Sequence, residues 1–144
     1  MSRIEIDLPA DFVFTTHLPI RITDINYGGH VGNDTVLSLV HESRMQFLKS
    51  AGYTEMNCGG KGLIMTDAAI VFKKELFYGD TVIVSVKAMN FSKISFDLFY
   101  KMEKIQEGKT VLVAKVKTAM VCFDYTVKKV AAFTEETIEK ISSM

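Results

Sequence analysis

The chain has 144 residues and a mass of 16.1 kDa, which predicts a single domain spanning residues 1–144. Its 17 basic and 17 acidic residues cancel, and no stretch resembles a membrane span, so neither nucleic acid nor a membrane is an expected partner. The mean hydropathy is slightly positive at +0.17, and such a surplus of apolar surface predicts an interface with further copies of the chain.

The first predicted elements are a strand and a long helix. Residues 12–22 alternate between apolar and polar side chains, which predicts a strand, and Pro19 within it indicates the edge of a sheet. The helix that follows has Asn33 or Asp34 as its predicted N-cap and Gly52 just after its end. Apolar side chains cover one stripe of this helix and polar side chains cover the opposite face.

Period-2 alternation then continues through the rest of the domain. It predicts four further strands, at about residues 64–72, 82–88, 94–102 and 111–125. Short turns join several of them, so neighbouring strands are antiparallel. Thr134 is the predicted N-cap of a short C-terminal helix over about residues 134–143. One long helix must bury its apolar stripe on this sheet, which predicts an α+β domain of two layers.

The two cysteines carry little chemistry. Cys58 and Cys122 are too few and too far apart for a disulfide framework or a set of metal ligands. We therefore expect two free thiols, no metal site and a location in the reducing cytoplasm.

The segment from Asp24 to Asp34 carries the candidate active site and leads directly into the long helix. Glycines let a ligand approach the backbone closely, and a helix N-terminus offers free N–H donors with a partial positive charge. Such donors stabilise an oxygen that gains negative charge during a reaction. The predicted carbonyl-binding backbone belongs to Gly28, Gly29, Val31 and Asn33, with the neighbouring His30; alternatively, the glycines only shape a tight turn.

These features resemble the hot-dog-fold acyl-CoA thioesterases of the 4-hydroxybenzoyl-CoA thioesterase type. The resemblance covers roughly residues 12–125 and implies a curved antiparallel sheet of about five strands wrapped around one long central helix. It also implies hydrolysis of an acyl-CoA or acyl-carrier thioester to an acid and a thiol, with coenzyme A as part of the substrate and no other cofactor. The implied assembly is a homodimer or homotetramer with active sites at the dimer interface. The matching residues are Arg21, Asp24, Asn26, Gly29-His30-Val31, Asn33, Glu42-Ser43-Arg44 and Tyr78-Gly79-Asp80.

The sequence departs from the family pattern Asp-x-Asp-x-x-Gly-His-Val-Asn-Asn at two positions. The second Asp, commonly the nucleophile or base, is Asn26, which cannot take a proton, and the first Asn of the pair is Gly32. Some relatives, such as plant acyl-carrier-protein thioesterases, use Asn and His in this segment, so activity is still expected.

Several residues could replace the missing carboxylate. His30 suits proton transfer at neutral pH or could pin the loop by a hydrogen bond. Asp24 could orient His30 or a water molecule, or cap nearby N–H groups. Asp34 could act as the base or only interact with the helix dipole. Glu42, two turns further along the same face, could act as the base or form an ion pair. Lys73 and Lys74 could meet coenzyme A phosphates or form a solvated edge.

Two other functions remain open at the level of sequence. Hot-dog enoyl-CoA hydratases carry Asp-x-Asn-Pro-x-His, but here His30 follows Asp24 by one residue too many, and Tyr27 replaces the proline. The missing second Asp also leaves open an acyl-thioester-binding protein without catalysis.

Overall fold

An antiparallel sheet forms one layer of the protein. The computed structural model describes residues 1–144. The sheet order is β1-β3-β4-β5-β2, with β6 paired to β5. Alternation located the five long strands, whereas the two-residue β6 was not predicted. The strands are β1 (Phe14–Pro19), β2 (Gly62–Phe72), β3 (Thr81–Met89), β4 (Ser95–Gln106), β5 (Lys109–Asp124) and β6 (Lys129–Val130).

Two helices form the second layer, α1 (Asn33–Ser50) and α2 (Glu135–Ser142). Gly52 adopts a φ of +78°, which suits a residue just after a helix, as predicted. Thr134 accepts a hydrogen bond from the Thr137 N–H and caps α2, also as predicted. The predicted N-cap of α1, Asn33 or Asp34, is wrong, because both residues lie within the helix. Gly32 occupies that position and, having no side chain, leaves the first turn uncapped.

The core lies between α1 and the sheet. Phe47 and Leu48 of α1 are fully buried, as are Leu98 and Met102 of β4. Burial of each such side chain stabilises the fold by roughly 1.5–3 kcal/mol. The expected α+β architecture, with one long helix against a curved antiparallel sheet, is confirmed.

Both edge strands of the sheet differ from its interior. Pro19 lies in β1, which is an edge strand as its sequence predicted. At the other edge, β2 pairs only with β5, and four consecutive residues from Met65 to Ala68 are exposed. Neither α1 nor α2 has the length and hydrophobicity that a membrane-spanning helix requires.

Candidate active site

A tight bend connects β1 to α1 and is fixed by its own backbone. The Asn26 N–H donates to the His30 carbonyl at 2.9 Å, and the Gly29 N–H donates to the Asn26 carbonyl at 3.1 Å. Gly29 has a φ of +84°, which favours glycine at this position. The Val31 N–H donates to the Leu76 carbonyl at 2.8 Å. This last bond joins the bend to the segment between β2 and β3.

Three predicted catalytic residues, Asn26, His30 and Asp34, lie around the two glycines Gly28 and Gly32. A Cβ atom on Gly28 would lie 3.2 Å from Asn26 Oδ1 and 3.4 Å from His30 Nε2. A Cβ atom on Gly32 would lie 2.6 Å from Asp34 Oδ1 and 3.5 Å from Asn26 Nδ2. The Asn26 amide and the His30 ring therefore border the space beside Gly28, and the Asn26 amide and the Asp34 carboxylate border the space beside Gly32.

Asp24 and Glu42 are not part of this cluster. Asp24 is buried and accepts a hydrogen bond from the Arg21 N–H at 2.8 Å, so it caps local backbone and does not contact His30. Glu42 is exposed and lines neither cavity described below. Glu42 lies about 80° around the helix axis from Asp34, since eight residues exceed two full turns by that angle, and it does not line the groove that Asp34 lines.

The backbone donors lie slightly further along the chain than predicted. The N–H groups of Gly28, Gly29 and Val31 are already bound to oxygens within the protein. By contrast, the N–H groups of the first turn of α1, from Asn33 to Thr35, have no acceptor. Of the predicted carbonyl-binding residues, only Asn33 has an available backbone donor.

The larger cavity has a volume of about 540 Å³ and lies on one side of the helix N-terminus. Lys73 and Lys74 line it, as expected for groups that could meet phosphates. Lys104, which was not predicted, is buried in its wall and donates to the Glu75 carbonyl at 2.8 Å and to Asp80 at 3.1 Å. The other lining residues are His30, Val31, Asn33, Val36, Phe72, Glu75, Leu76, Phe77, Gln106, Val113 and Ala114.

His30 has both ring nitrogens in polar surroundings. Its Nδ1 lies 3.0 Å from the Val31 carbonyl oxygen, so this nitrogen carries the proton in the neutral ring and donates. Its Nε2 lies 3.7 Å from a carboxylate oxygen of Glu75, a second residue that was not predicted. This geometry allows Nε2 to accept a proton and release it toward the cavity.

A second, smaller groove of about 260 Å³ follows the exposed face of α1. It begins at Asp34 and ends where the helix meets the start of β2. The lining residues are Asp34, Leu37, Ser38, His41, Arg44 and Met65.

A partly buried polar network supports the far end of this groove. His41 Nε2 lies 2.7 Å from Glu55 Oε1, and Arg44 Nε lies 3.5 Å from the same oxygen. Arg44 also donates to the Tyr100 hydroxyl, at 3.3 Å. Burial raises the pKa of the Tyr100 hydroxyl, so it remains neutral and pairs with Thr118 at 2.9 Å. The network holds a guanidinium inside the core by hydrogen bonds and charge pairing.

A comparison with protein families matches residues 20–141 to the family described as the thioesterase-like superfamily. The chain belongs to this superfamily. The predicted class of activity, hydrolysis of a thioester, is thereby confirmed. No curated protein matches this thioesterase at a significant level.

Solved structures share the fold of this thioesterase. A 1,4-dihydroxy-2-naphthoyl-CoA thioesterase from Synechocystis is 22% identical over 90% of this chain and 95% of that one, with a TM-score of 0.78. A thioesterase superfamily protein from Jannaschia sp. CCS1 is 16% identical over 92% and 83%, with a TM-score of 0.81. A mutant 4-hydroxybenzoyl-CoA thioesterase, in complex with 4-hydroxybenzoyl-CoA, is 16% identical over 90% and 98%, with a TM-score of 0.79. The hot-dog fold is confirmed.

Proposed function

We propose that this thioesterase hydrolyses an acyl-CoA and that Asn26, His30 and Asp34 carry out the chemistry. The observation that supports this most directly is their position at the uncapped start of α1, between a cavity with basic residues and a groove along the helix. The structural neighbour solved with a CoA ester supports the choice of coenzyme A as carrier.

In the proposed complex, the thioester carbonyl oxygen points at the first turn of α1. The free N–H groups of Asn33 to Thr35 and the positive end of the helix dipole stabilise the negative charge that develops on this oxygen. Because Gly32 supplies no competing side-chain acceptor, the substrate oxygen can act as the cap of the helix.

Asp34 is the proposed general base. Its carboxylate has no ion-pair partner and folds back over Gly32, next to the Asn26 amide. A water molecule held by Asn26 would lose a proton to Asp34 as its oxygen attacks the carbonyl carbon. The two departures from the family pattern are then coupled. Asn26 replaces the family's carboxylate, and Gly32, which has no side chain, leaves room for the Asp34 carboxylate to take its place.

His30 is the proposed general acid for the leaving thiolate. When the tetrahedral intermediate collapses, the carbon–sulfur bond breaks and the imidazolium donates its proton to the sulfur. The Glu75 carboxylate lies 3.7 Å from Nε2 and can orient the ring for this step. The ring lines the larger cavity, so the thiol leaves on that side.

The larger cavity is the proposed site for the coenzyme A arm. Lys73 and Lys74 provide exposed positive charges at its rim for phosphate groups. Phe72 and Phe77 provide aromatic surface beside them.

The proposed assembly is a homodimer formed through the free edge of β2. Its exposed residues from Met65 to Ala68 present unpaired backbone groups that a second copy can satisfy. Met65 also lines the smaller groove, so a second copy at this edge would lie beside the site. Pairing of two such dimers would give a homotetramer. The cytoplasm remains the proposed location, supported by the two buried free cysteines.

The test is thiol release from a panel of acyl-CoA esters, measured with a thiol-reactive dye, for the parent and three isosteric variants. Asp34→Asn and His30→Gln should each lower kcat/KM by about 100-fold or more. Glu42→Gln, which removes the carboxylate outside the cluster, should stay within about twofold of the parent. No turnover of short, medium, long or aromatic esters would contradict the proposed function, and a large loss in Glu42→Gln alone would contradict the assignment of the base.

A further inference from the structure

Residues 1–13, the N-terminal arm, precede β1 and cross the outer face of the sheet, which is the face opposite α1. Lysines of three adjacent strands project from this face, because the residues on either side of each lysine are buried in the core. Each lysine contacts one residue of the arm. The contacts are Lys87 Nζ of β3 with Asp11 Oδ2 at 2.9 Å, Lys101 Nζ of β4 with the centre of the Phe12 ring at 5.0 Å, and Lys115 Nζ of β5 with the Ile6 carbonyl oxygen at 3.3 Å.

These contacts give the arm a direction. In the sheet order β1-β3-β4-β5-β2, β3 lies beside β1 and β5 lies beside β2. Followed backwards from β1, the chain passes over β3 and β4 and reaches β5 at Ile6. The residues before Ile6 therefore lead toward the free edge of β2, where a second copy binds in the proposed dimer.

The rest of the arm is long enough to pass this edge. Ile6 lies five residues before Asp11, and over that length the contacts move from β3 to β5, which is two strand spacings or roughly 10 Å. Met1 lies five residues before Ile6. At the same advance per residue, Met1 reaches two strands beyond β5, which are β2 and the first strand of the second copy.

Ile4 is an apolar side chain of the arm that the monomer leaves uncovered. Ile4, Ile6 and Leu8 alternate with polar residues, as in a strand with one buried face. Ile6 is 6% exposed and Leu8 is half-buried, whereas Ile4 is 60% exposed. The apolar face of the arm is therefore covered up to Ile6 and open just where the arm approaches the edge of the sheet.

The outer face of β2 offers an apolar surface at this edge. Ala69 and Val71 lie directly opposite Lys117 and Lys115 of β5, and residues paired in this way share a face of the sheet. Both side chains are half-buried in the monomer. A second copy that pairs along β2 would place the same two side chains beyond the edge, within reach of the arm.

We propose that the two copies of the dimer exchange their N-terminal arms, so that Ile4 of each copy packs on the outer face of β2 in the other. This inference rests on the proposed dimer through β2. Twofold symmetry forms the contact twice in each dimer. The contacts at Asp11, Phe12 and Ile6 already hold the arm in place, so little further ordering is required when it binds.

The first test measures the dimer dissociation constant by sedimentation velocity over a dilution series. Ile4→Ser should raise this Kd by about tenfold or more, because each dimer loses two buried isoleucine side chains. The matched control is Ile105→Ser on β4, which changes an isoleucine with a similar exposure of 57% and should leave the Kd within about twofold. At concentrations that keep the dimer intact, thiol release by Ile4→Ser should equal that of the parent.

The second test locates the arm in the dimer by nuclear magnetic resonance. A nitroxide is attached to Ser2→Cys, where it reacts selectively because Cys58 and Cys122 are buried. These subunits are mixed with isotope-labelled subunits that carry no nitroxide, so any broadening reports a contact between copies. The amide signals of residues 69–71 should be broadened in the isotope-labelled subunit.

The possible failures are distinguishable. A parental Kd in Ile4→Ser, or a mixed dimer in which the signals of residues 69–71 keep their full intensity, overturns the arm exchange and leaves the proposed dimer standing. A parent protein that is monomeric in light scattering overturns the dimer and the arm exchange together. Thiol release from acyl-CoA esters is measured separately and decides the proposed enzymatic function.

Discussion

Replacement of Gly32 by alanine should separate activity from stability. Gly32 has φ −70° and ψ 157°, which any L-residue can adopt, so the backbone itself is not strained. The new Cβ would lie 2.6 Å from Asp34 Oδ1, whereas ordinary contacts begin at 3.4 Å. The carboxylate must therefore move by an amount on the order of 1 Å, and a misplacement of this size lowers rates by about 100-fold.

The stability of this variant should change little. Alanine restricts the unfolded chain and stabilises the fold by about 0.4–1 kcal/mol, which partly offsets the local crowding. We expect kcat/KM to fall by about 100-fold, or about 2.7 kcal/mol in transition-state stabilisation, with a Tm close to that of the parent.

A double-mutant cycle provides the control for Gly32→Ala. If alanine acts only by displacing Asp34, it should have little further effect once Asp34→Asn has removed the charge. Parental kcat/KM in a folded Gly32→Ala protein would refute the view that Asp34 must occupy the space above Gly32. Equal losses from Gly32→Ala in both backgrounds would show that the alanine acts on a different group.

The remaining predictions concern the cavity wall, the cysteines and the sheet edge. Lys104→Met should lower the free energy of unfolding by about 2–3 kcal/mol, because Asp80 and the Glu75 carbonyl lose a buried cationic donor. Denaturant titrations measure this change. The control is Lys109→Met at an exposed position, which should change the same free energy by less than about 0.5 kcal/mol. Burial, followed by the nearby Cys122, raises the pKa of Cys58 to about 12, so a thiol reagent should label native protein slowly at pH 8 and unfolded protein rapidly. The folded protein should also lose stability as the pH rises from 9 toward 12, because in this range the Cys58 thiol loses its proton in the unfolded chain but keeps it in the folded one. Rapid labelling of Cys58 in the native protein would contradict the raised pKa. Ala68→Lys on β2 should convert the proposed dimer to a monomer of about 16.1 kDa, measured by light scattering. The control is His17→Lys on β1, which should leave the dimer intact. A dimer that persists in Ala68→Lys would place the interface elsewhere.

The strands and the helix ends were predictable where side chains carry the signal. Period-2 alternation located the five long strands because one face of each packs on the core. The two-residue β6 is too short to have a period. The start of α1 was missed by one residue because its N-cap, Gly32, has no side chain that could indicate a cap.

The candidate site was only partly predictable, because spacing along the chain does not specify spacing between a loop and a helix. The structure brings Asn26, His30 and Asp34 together, but it places Asp24 with Arg21 and Glu42 in solvent. Helix periodicity alone would have favoured His41 over Glu42 as the neighbour of Asp34, since seven residues complete nearly two turns.

Two contributors to the site were missed entirely. Lys104 continues the inward-facing series Phe96, Leu98, Tyr100 and Met102 of β4, so a charge at a core position was a signal that sequence analysis could have used. Glu75 follows two lysines in a connecting segment and had no comparable signal. Its role depends on the backbone bond between Val31 and Leu76, which only the tertiary structure reveals.

The absent cap of α1 has a consequence for motion as well as for chemistry. A helix whose first amides lack acceptors frays at that end, and its backbone hydrogens exchange readily with solvent. An ester oxygen bound there would complete the turn, so occupancy and local order should rise and fall together. Hydrogen exchange at residues 33–35 would then slow when an acyl-CoA binds and recover when the products leave.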